Sequence, residues 1–178
     1  MPLNESTIRE ITDPAEFAVS ARVIRNSFKT VARELGFTRE TFPNHPSFFT
    51  VARLKEMKSR GAAFFGLFLG EIQIGFIAVE PADKGVFYIE RLAVPPSYRH
   101  GGYGAKLVGF AIDYIRKNKG KKVALGMINE QAGLKDWYKK LGFREVSTQK
   151  FPHLPFTVCF MERDARPLVT SAPSRGKR

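Results

Sequence analysis

At 178 residues, 43% of them apolar, the chain is long enough to fold as one domain with a substantial core. Its single cysteine, Cys159, excludes an intramolecular disulfide framework and makes a reducing cytoplasm the expected compartment, while Gly66, Gly70 and Glu71 interrupt the longest apolar stretch, 62–79, and no basic-then-apolar leader opens the sequence. The net charge of +12 includes four uncompensated cations in residues 165–178 and leaves +8 on 1–164; a body this basic attracts phosphorylated cofactors or nucleic acid, although net charge alone defines no site.

In chain order, residues 6–11 read as a short edge strand. Thr12-Asp13-Pro14 then starts a helix, because Asp13 can accept from free N–H groups and Pro14 suits the first helical position. Phe17, Ala21, Ile24, Phe28, Val31 and Leu35 give that helix an apolar side, and Gly36 stops it. Residues 37–45 form a loop, and 46–60 read as a second helix with Phe49, Val51, Leu54 and Met57 inward. Residues 62–69 and 72–80, joined by Gly70-Glu71, read as a hairpin. After a turn at 81–85 comes a strand at 86–94, and after a glycine-rich segment a helix at 104–117, stopped by Asn118-Lys119-Gly120. A buried strand at 121–128, a short helix at 131–141 closed by Gly142, and strands at 143–149 and 156–162 complete the body. Residues 165–178 read as a basic, disordered tail beyond a single domain 1–164. The order predicts an α/β (α+β) fold: a mixed, mostly antiparallel sheet of about seven strands flanked by about four helices.

The most informative segment is Tyr98-Arg99-His100-Gly101-Gly102-Tyr103-Gly104-Ala105, at a strand-to-helix turn. The first N–H groups of a helix lack internal partners and lie at the positive end of its dipole, which suits a phosphate or pyrophosphate. A tight turn alone needs one glycine; Gly101, Gly102 and Gly104 together favour binding, with Arg99 or His100 adding charge. No Cys/His/Asp cluster has metal-ligand spacing, so no metal is expected.

Two blocks resemble the GCN5-related N-acetyltransferase superfamily. Arg99-His100-Gly101-Gly102-Tyr103-Gly104 follows its [Arg/Gln]-x-x-Gly-x-[Gly/Ala] signature, after a Leu92-Ala93-Val94-Pro95 lead-in. Asn129-Glu130-Gln131-Ala132, Trp137-Tyr138 and Leu141-Gly142-Phe143 resemble its second block. The element order matches over about 6–162, with the similarity concentrated in 86–146. The resemblance implies acetyl-CoA as acyl donor and direct attack by a primary amine in a ternary complex, between splayed fourth and fifth strands. It assigns coenzyme A to the main chain of Leu92, Ala93 and Val94, to the turn formed by Arg99, His100, Gly101, Gly102, Tyr103, Gly104 and Ala105, and to Asn129. Tyr138 would protonate the leaving thiolate, Glu90 would take the amine proton, and an N–H near Leu92 to Val94 would stabilise the oxyanion.

Each role has a structural counterpart. Asn129 could cap the following helix, Tyr138 could simply pack, and Glu90 could pair with Arg91. Glu90, Leu92 and Val94 share one strand face unless a bulge intervenes. Arg91 stands where the resemblance leads one to expect a second acid, which weakens a polycationic acceptor. His45 and His153 are ordinary side chains or acceptor contacts. The acceptor, a small-molecule or protein amine, is not readable; with only scattered Glu34, Glu40 and Glu56, a neutral or anionic one is favoured. A non-catalytic acyl-CoA-binding module, a ribosome- or nucleic-acid-associated protein using the basic tail, and a homodimer stay open.

Overall fold

The computed structural model describes residues 5–166, and the tail expected from Pro167 onward lies outside the described residues. Among them are strands β1 (Thr7–Glu10), β2 (Ala63–Leu69), β3 (Ile72–Pro81), β4 (Val86–Ala93), β5 (Lys122–Ile128), β6 (Arg144–Lys150) and β7 (Thr157–Asp164). Four helices accompany them: α1 (Phe17–Leu35), α2 (Val51–Ser59), α3 (Tyr103–Lys117) and α4 (Ala132–Lys140).

Local chemistry sets most boundaries. The Asp13 carboxylate accepts from the Ala15 N–H at 2.8 Å, and a 3-10 turn, Pro14–Glu16, leads into α1. Gly36 ends α1 in the left-handed region, φ 66°. The single helix expected over 46–60 is divided. His45 caps a 3-10 turn, Pro46–Phe48; Phe49 is extended; and α2 starts only after Thr50, whose hydroxyl accepts from the Arg53 N–H. The break turns Phe49 into the core, where it is 1% exposed.

The sheet order is β1-β2-β3-β4-β5-β7-β6, antiparallel at every neighbour pair except parallel β4 and β5. Both faces are covered, which is why β2 reads as an unbroken apolar run. Phe65, Leu67, Leu107, Val108, Ala111 and Ile115 belong to the core on the α3 side. Phe17, Ile24, Phe49, Leu54, Phe64 and Phe76 form the other, under α1 and α2. Ala165 is also fully buried, its N–H bonded to the Lys121 carbonyl, so the packed body extends one residue beyond 164.

Two departures from regular pairing create a site. Only Val86, Phe87 and Tyr88 of β4 pair with β5, opposite Lys122, Val123 and Ala124; beyond them the strands part. On its other edge β4 carries a bulge, since Glu90 faces Ala78 while Ala93 faces Phe76. Arg91 sits in that bulge at φ 54°, so the simple alternation of Glu90, Leu92 and Val94 does not hold.

The end of α3 tests the packing. Lys119 turns left-handed at φ 63°, and the Gly120 N–H reaches back to the Ile115 carbonyl at 2.8 Å. A Cβ on Gly120 would lie 2.8 Å from that carbonyl oxygen and 2.9 Å from the Phe87 ring. Gly120→Ala is therefore expected to destabilise the fold by about 1–3 kcal/mol, measured as a lower urea midpoint at unchanged m-value.

Candidate active site

The divergence of β4 and β5 opens a cleft of about 1340 Å³. One end is walled by residues before and at the start of α3 and by α4; the other by α1, the loop before α2, and the β6–β7 connection. Main-chain groups on the β5-facing edge of 89–93 have no strand partner and look into this space.

The glycine turn closes one end. The N–H groups of residues 100–105 make no hydrogen bond to any described residue; the first amide of this helix with a partner is Lys106, bonded to the Gly102 carbonyl at 3.0 Å. His100 and Gly102 are both left-handed, at φ 64° and 77°, which turns successive amides toward one side. A Cβ on Gly102 would meet nothing within 4 Å, whereas one on Gly104 would lie 3.3 Å from the Trp137 ring. Thus Gly104 allows α3 to approach α4, and Gly102 supplies a backbone shape with open space in front.

The Arg99 guanidinium, expected to add charge at this turn, lines the cleft and is held by neutral acceptors. Its guanidinium donates to the Val94 carbonyl at 3.1 Å, the Ser27 carbonyl at 2.6 Å and the Thr30 hydroxyl at 3.2 Å. Its own N–H is bonded to the Pro96 carbonyl. Arg99 ties the turn to β4 and α1; the turn's anion-binding capacity lies in the amides, with His100 beside them on the cleft wall.

The remaining expected residues divide. Leu92, Val94, Tyr103 and Ala105 line the cleft. Ala93 is 1% exposed and faces the α1 core, so it offers the cleft main-chain atoms alone. Gly101 and Asn129 are not on the cleft wall. The Asn129 carboxamide oxygen accepts from Lys135 Nζ at 2.6 Å, and its N–H bonds the Thr157 carbonyl. Nor does it cap α4, whose N-cap is Gln131 with no side-chain bond.

Tyr138 is buried on the cleft wall, its ring edge-on to Trp137 at 4.9 Å and to Phe143 at 5.5 Å. No side-chain hydrogen bond contributes to its titration, which burial alone shifts. Burial pushes its pKa well above that of an ordinary phenol, so it stays protonated at neutral pH. The Glu90 carboxylate also lines the cleft, one-third exposed, with Arg91 Nη1 at 3.5 Å. The structural pair and an accessible carboxylate coexist in one side chain.

At the opposite end lies a group of side chains with no legible spacing in sequence. The His45 ring is 2% exposed, with Phe28, Phe37 and Phe42 at centroid distances of 6.0, 5.1 and 5.6 Å. Phe156 completes the cluster, 5.7 Å from Phe42. His45 Nδ1 accepts from the Ser47 N–H at 3.2 Å and lies 2.9 Å from its hydroxyl. His153 lies on the wall of the β6–β7 connection. Arg53 and Arg91 enter the same end. Among the described residues no group of three or more His, Cys, Asp or Glu could hold a metal, and no helix is long and apolar enough to cross a membrane.

A model of the family described as "Acetyltransferase (GNAT) family" matches residues 28–143. Among curated proteins, an uncharacterized N-acetyltransferase of Methanocaldococcus jannaschii is 31% identical over 94 residues; the match covers 48% of this chain and only 42% of that relative's length. The PaiA N-acetyltransferase of Thermoplasma acidophilum, solved in complex with coenzyme A, superposes with a TM-score of 0.76 at 20% identity, over 90% of this chain and 99% of that one. The ribosomal-protein-S18-alanine N-acetyltransferase of Escherichia coli gives 0.73 at 14% identity, over 94% of this chain and 99% of that one. At such identities the likeness shows the fold.

His45 provides a pH test of this end of the cleft. Burial, and then the Arg91 charge, lower its pKa from 6.5 to about 4. The unfolded chain takes the proton near pH 6.5 and the folded chain only near 4, so folding loses stability as pH falls through that window. Relative to His45→Asn, the native chain should lose about 3 kcal/mol more between pH 7 and 4, read from urea midpoints at each pH.

Proposed function

Because the chain belongs to the GNAT acetyltransferase family, we propose that it transfers an acetyl group from acetyl-CoA to a primary amine, both bound in one cleft, with Glu90 and Tyr138 moving the protons. The observation that carries this is the row of amides at 100–105, unpaired among the described residues, beside a wedge where β4 has lost its partner strand. A diphosphate satisfies several such N–H groups at once. The open space before Gly102 supports the fit, since a Cβ there would occupy the approach of a ligand rather than protein.

Bound coenzyme A supplies an acetyl group activated as a thioester. The edge of β4 at 89–93 can pair with an amide-bearing arm much as a strand would, while Leu92 and Val94 give it an apolar bed. An N–H on the same edge can donate to an oxygen that gains charge. Glu90, on the cleft wall, can take a proton from an incoming ammonium directly or through water. Tyr138, held neutral by burial on the cleft wall, can give its proton to a departing thiolate. Arg99 holds the turn in register with β4, which lowers the cost of ordering these groups on binding.

A non-catalytic acyl-CoA module would need neither an accessible Glu90 nor a cleft-facing Tyr138, so their joint presence supports the transferase. The match to half a relative's length leaves the whole protein's partners, oligomeric state and compartment outside this proposal.

Two variants separate binding from chemistry. Gly102→Val forces a β-branched residue to φ 77° and fills the approach to the amides; coenzyme A binding by calorimetry should fall at least about 100-fold. Retained binding would remove the diphosphate assignment. Tyr138→Phe should lower kcat about 100-fold while changing coenzyme A affinity less than about threefold; unchanged turnover would leave Tyr138 as a packing residue.

A further inference from the structure

We infer that the acceptor is a small primary amine that carries a carboxylate and an apolar body, its carboxylate held by Arg91 and Arg53 and its body by the phenylalanine-lined end of the cleft. The inference names the acceptor of the transferase proposed above and rests on that proposal.

Arg91 is the centre of the case. A guanidinium has five N–H donors and cannot lose its charge at ordinary pH. Here Nε is sealed from solvent with no acceptor among the described residues. The ion pair to Glu90 runs at 3.5 Å, and Arg91 CZ stands 5.4 Å from the Phe49 centroid. With one long ion pair and an unpartnered Nε, this cation has donors to spare for a second anion. The chain also holds it in a left-handed bulge, φ 54°, a conformation that disfavours a long side chain and persists only where the surroundings impose it.

Arg53 strengthens the same sign. Its two terminal nitrogens go to the carbonyl and carboxamide oxygens of Asn44, which are neutral. Arg53 is close enough to make the charge on Arg91 costlier, after the larger cost of burial. His45, buried and neutral above about pH 4, adds no compensating acid. Arg60, by contrast, is engaged by Glu80 at 2.9 Å and Glu56 at 3.0 Å. With Glu56 turned to Arg60 and Glu90 to Arg91, the remaining cleft-lining acid is Glu34, across on α1. A polyamine's second ammonium would gain nothing from the two guanidinium groups on this wall. A monoamine monocarboxylate meets both needs: its carboxylate between the arginines, its ammonium toward Glu90.

The other component is shape and polarity. Phe28, Phe42 and Phe156 line the cleft beside these arginines, with Leu154 on the β6–β7 connection. Rings packed edge to face present a rigid apolar wall at low entropic cost. In the transfer itself Glu90 takes one proton from the ammonium, the amine nitrogen bonds to the acetyl carbon and the carbon–sulfur bond breaks; Tyr138 gives a proton to sulfur, and the second proton leaving nitrogen restores the Tyr138 hydroxyl, directly or through water.

The test uses matched pairs that differ by the carboxylate alone: L-phenylalanine against 2-phenylethylamine, and L-leucine against 3-methylbutylamine, with spermidine as a polycation. Each is titrated calorimetrically into the coenzyme A-loaded protein. At least one amino acid should bind tenfold or more tighter than its decarboxylated partner, and spermidine should bind weakest. Arg91→Met should erase that preference. Arg53→Gln, at a half-buried position whose side-chain bonds among the described residues go only to Asn44, should reduce it at least threefold. Equal binding within both pairs, binding of neither amino acid, tighter binding of spermidine, or a preference that survives both substitutions overturns the inference while the transferase proposal stands. Failure of coenzyme A itself to bind overturns both.

Discussion

The structure turns on a pairing that stops. β4 and β5 hold each other for three residues on each strand and then separate, while β5 stays paired with β7 along its whole length and β4 stays paired with β3. Each strand thus remains anchored on one edge and orphaned on the other. Unpaired main-chain groups inside a protein are costly unless something satisfies them. Here they border an open cleft rather than a packed interior, so the cost falls only where a ligand can offset it. The bulge at Arg91 belongs to the same device, since an extra residue bends β4 away just where β5 leaves it.

The amides of the glycine turn add a second set of unmet donors at the mouth of this wedge. Two left-handed residues, His100 and Gly102, aim them, and Arg99 fixes them. That arginine bonds β4, the turn and two sites on α1, so one side chain holds three parts of the molecule in a common frame. A donor array of this kind gains from rigidity more than from charge, because each amide contributes only if it already points at the same place.

Much of this was legible in the residues, and what was not has a common cause. Asp13-Pro14, Gly36, the Gly70-Glu71 hairpin and Asn118-Lys119-Gly120 act within a few residues, so their effect can be read without knowing the rest of the chain. The glycine turn belongs with them, since a helix start and its glycines are local features. The second helix misled because Pro46 and the apolar spacing suit a helix, whereas Thr50 and the burial of Phe49 against α1 and the sheet divide it. Arg91 looked like one more strand residue; its bulge depends on register with β3, a long-range pairing. Asn129 has the residue type for either expected role, but Lys135, six positions on, takes its oxygen. The cluster of Phe28, Phe37, Phe42, His45 and Phe156 comes from three segments with no period to reveal it.

The two ends of the cleft therefore follow different rules. The end beside α3 binds through main-chain atoms, and such a site depends on where the backbone goes, not on which side chains decorate it; glycine is the only residue type it demands. The end beside α2 is made of side chains: a neutral buried histidine in an aromatic wall, and two guanidinium groups, one of them with an unpartnered Nε among the described residues. There the fold supplies only the space, and the side chains supply the chemistry. A scaffold divided in this way can keep one donor substrate while its acceptor changes, because substitutions at Arg53, Arg91 or Phe156 leave the amide row and the wedge intact. Glu90 stands where the two ends meet, paired with Arg91 on one side and open to the cleft on the other. On the proposed reading, an acceptor carboxylate that draws Arg91 away would free the Glu90 carboxylate as the ammonium arrives beside it, which would make acceptor binding and base activation one event.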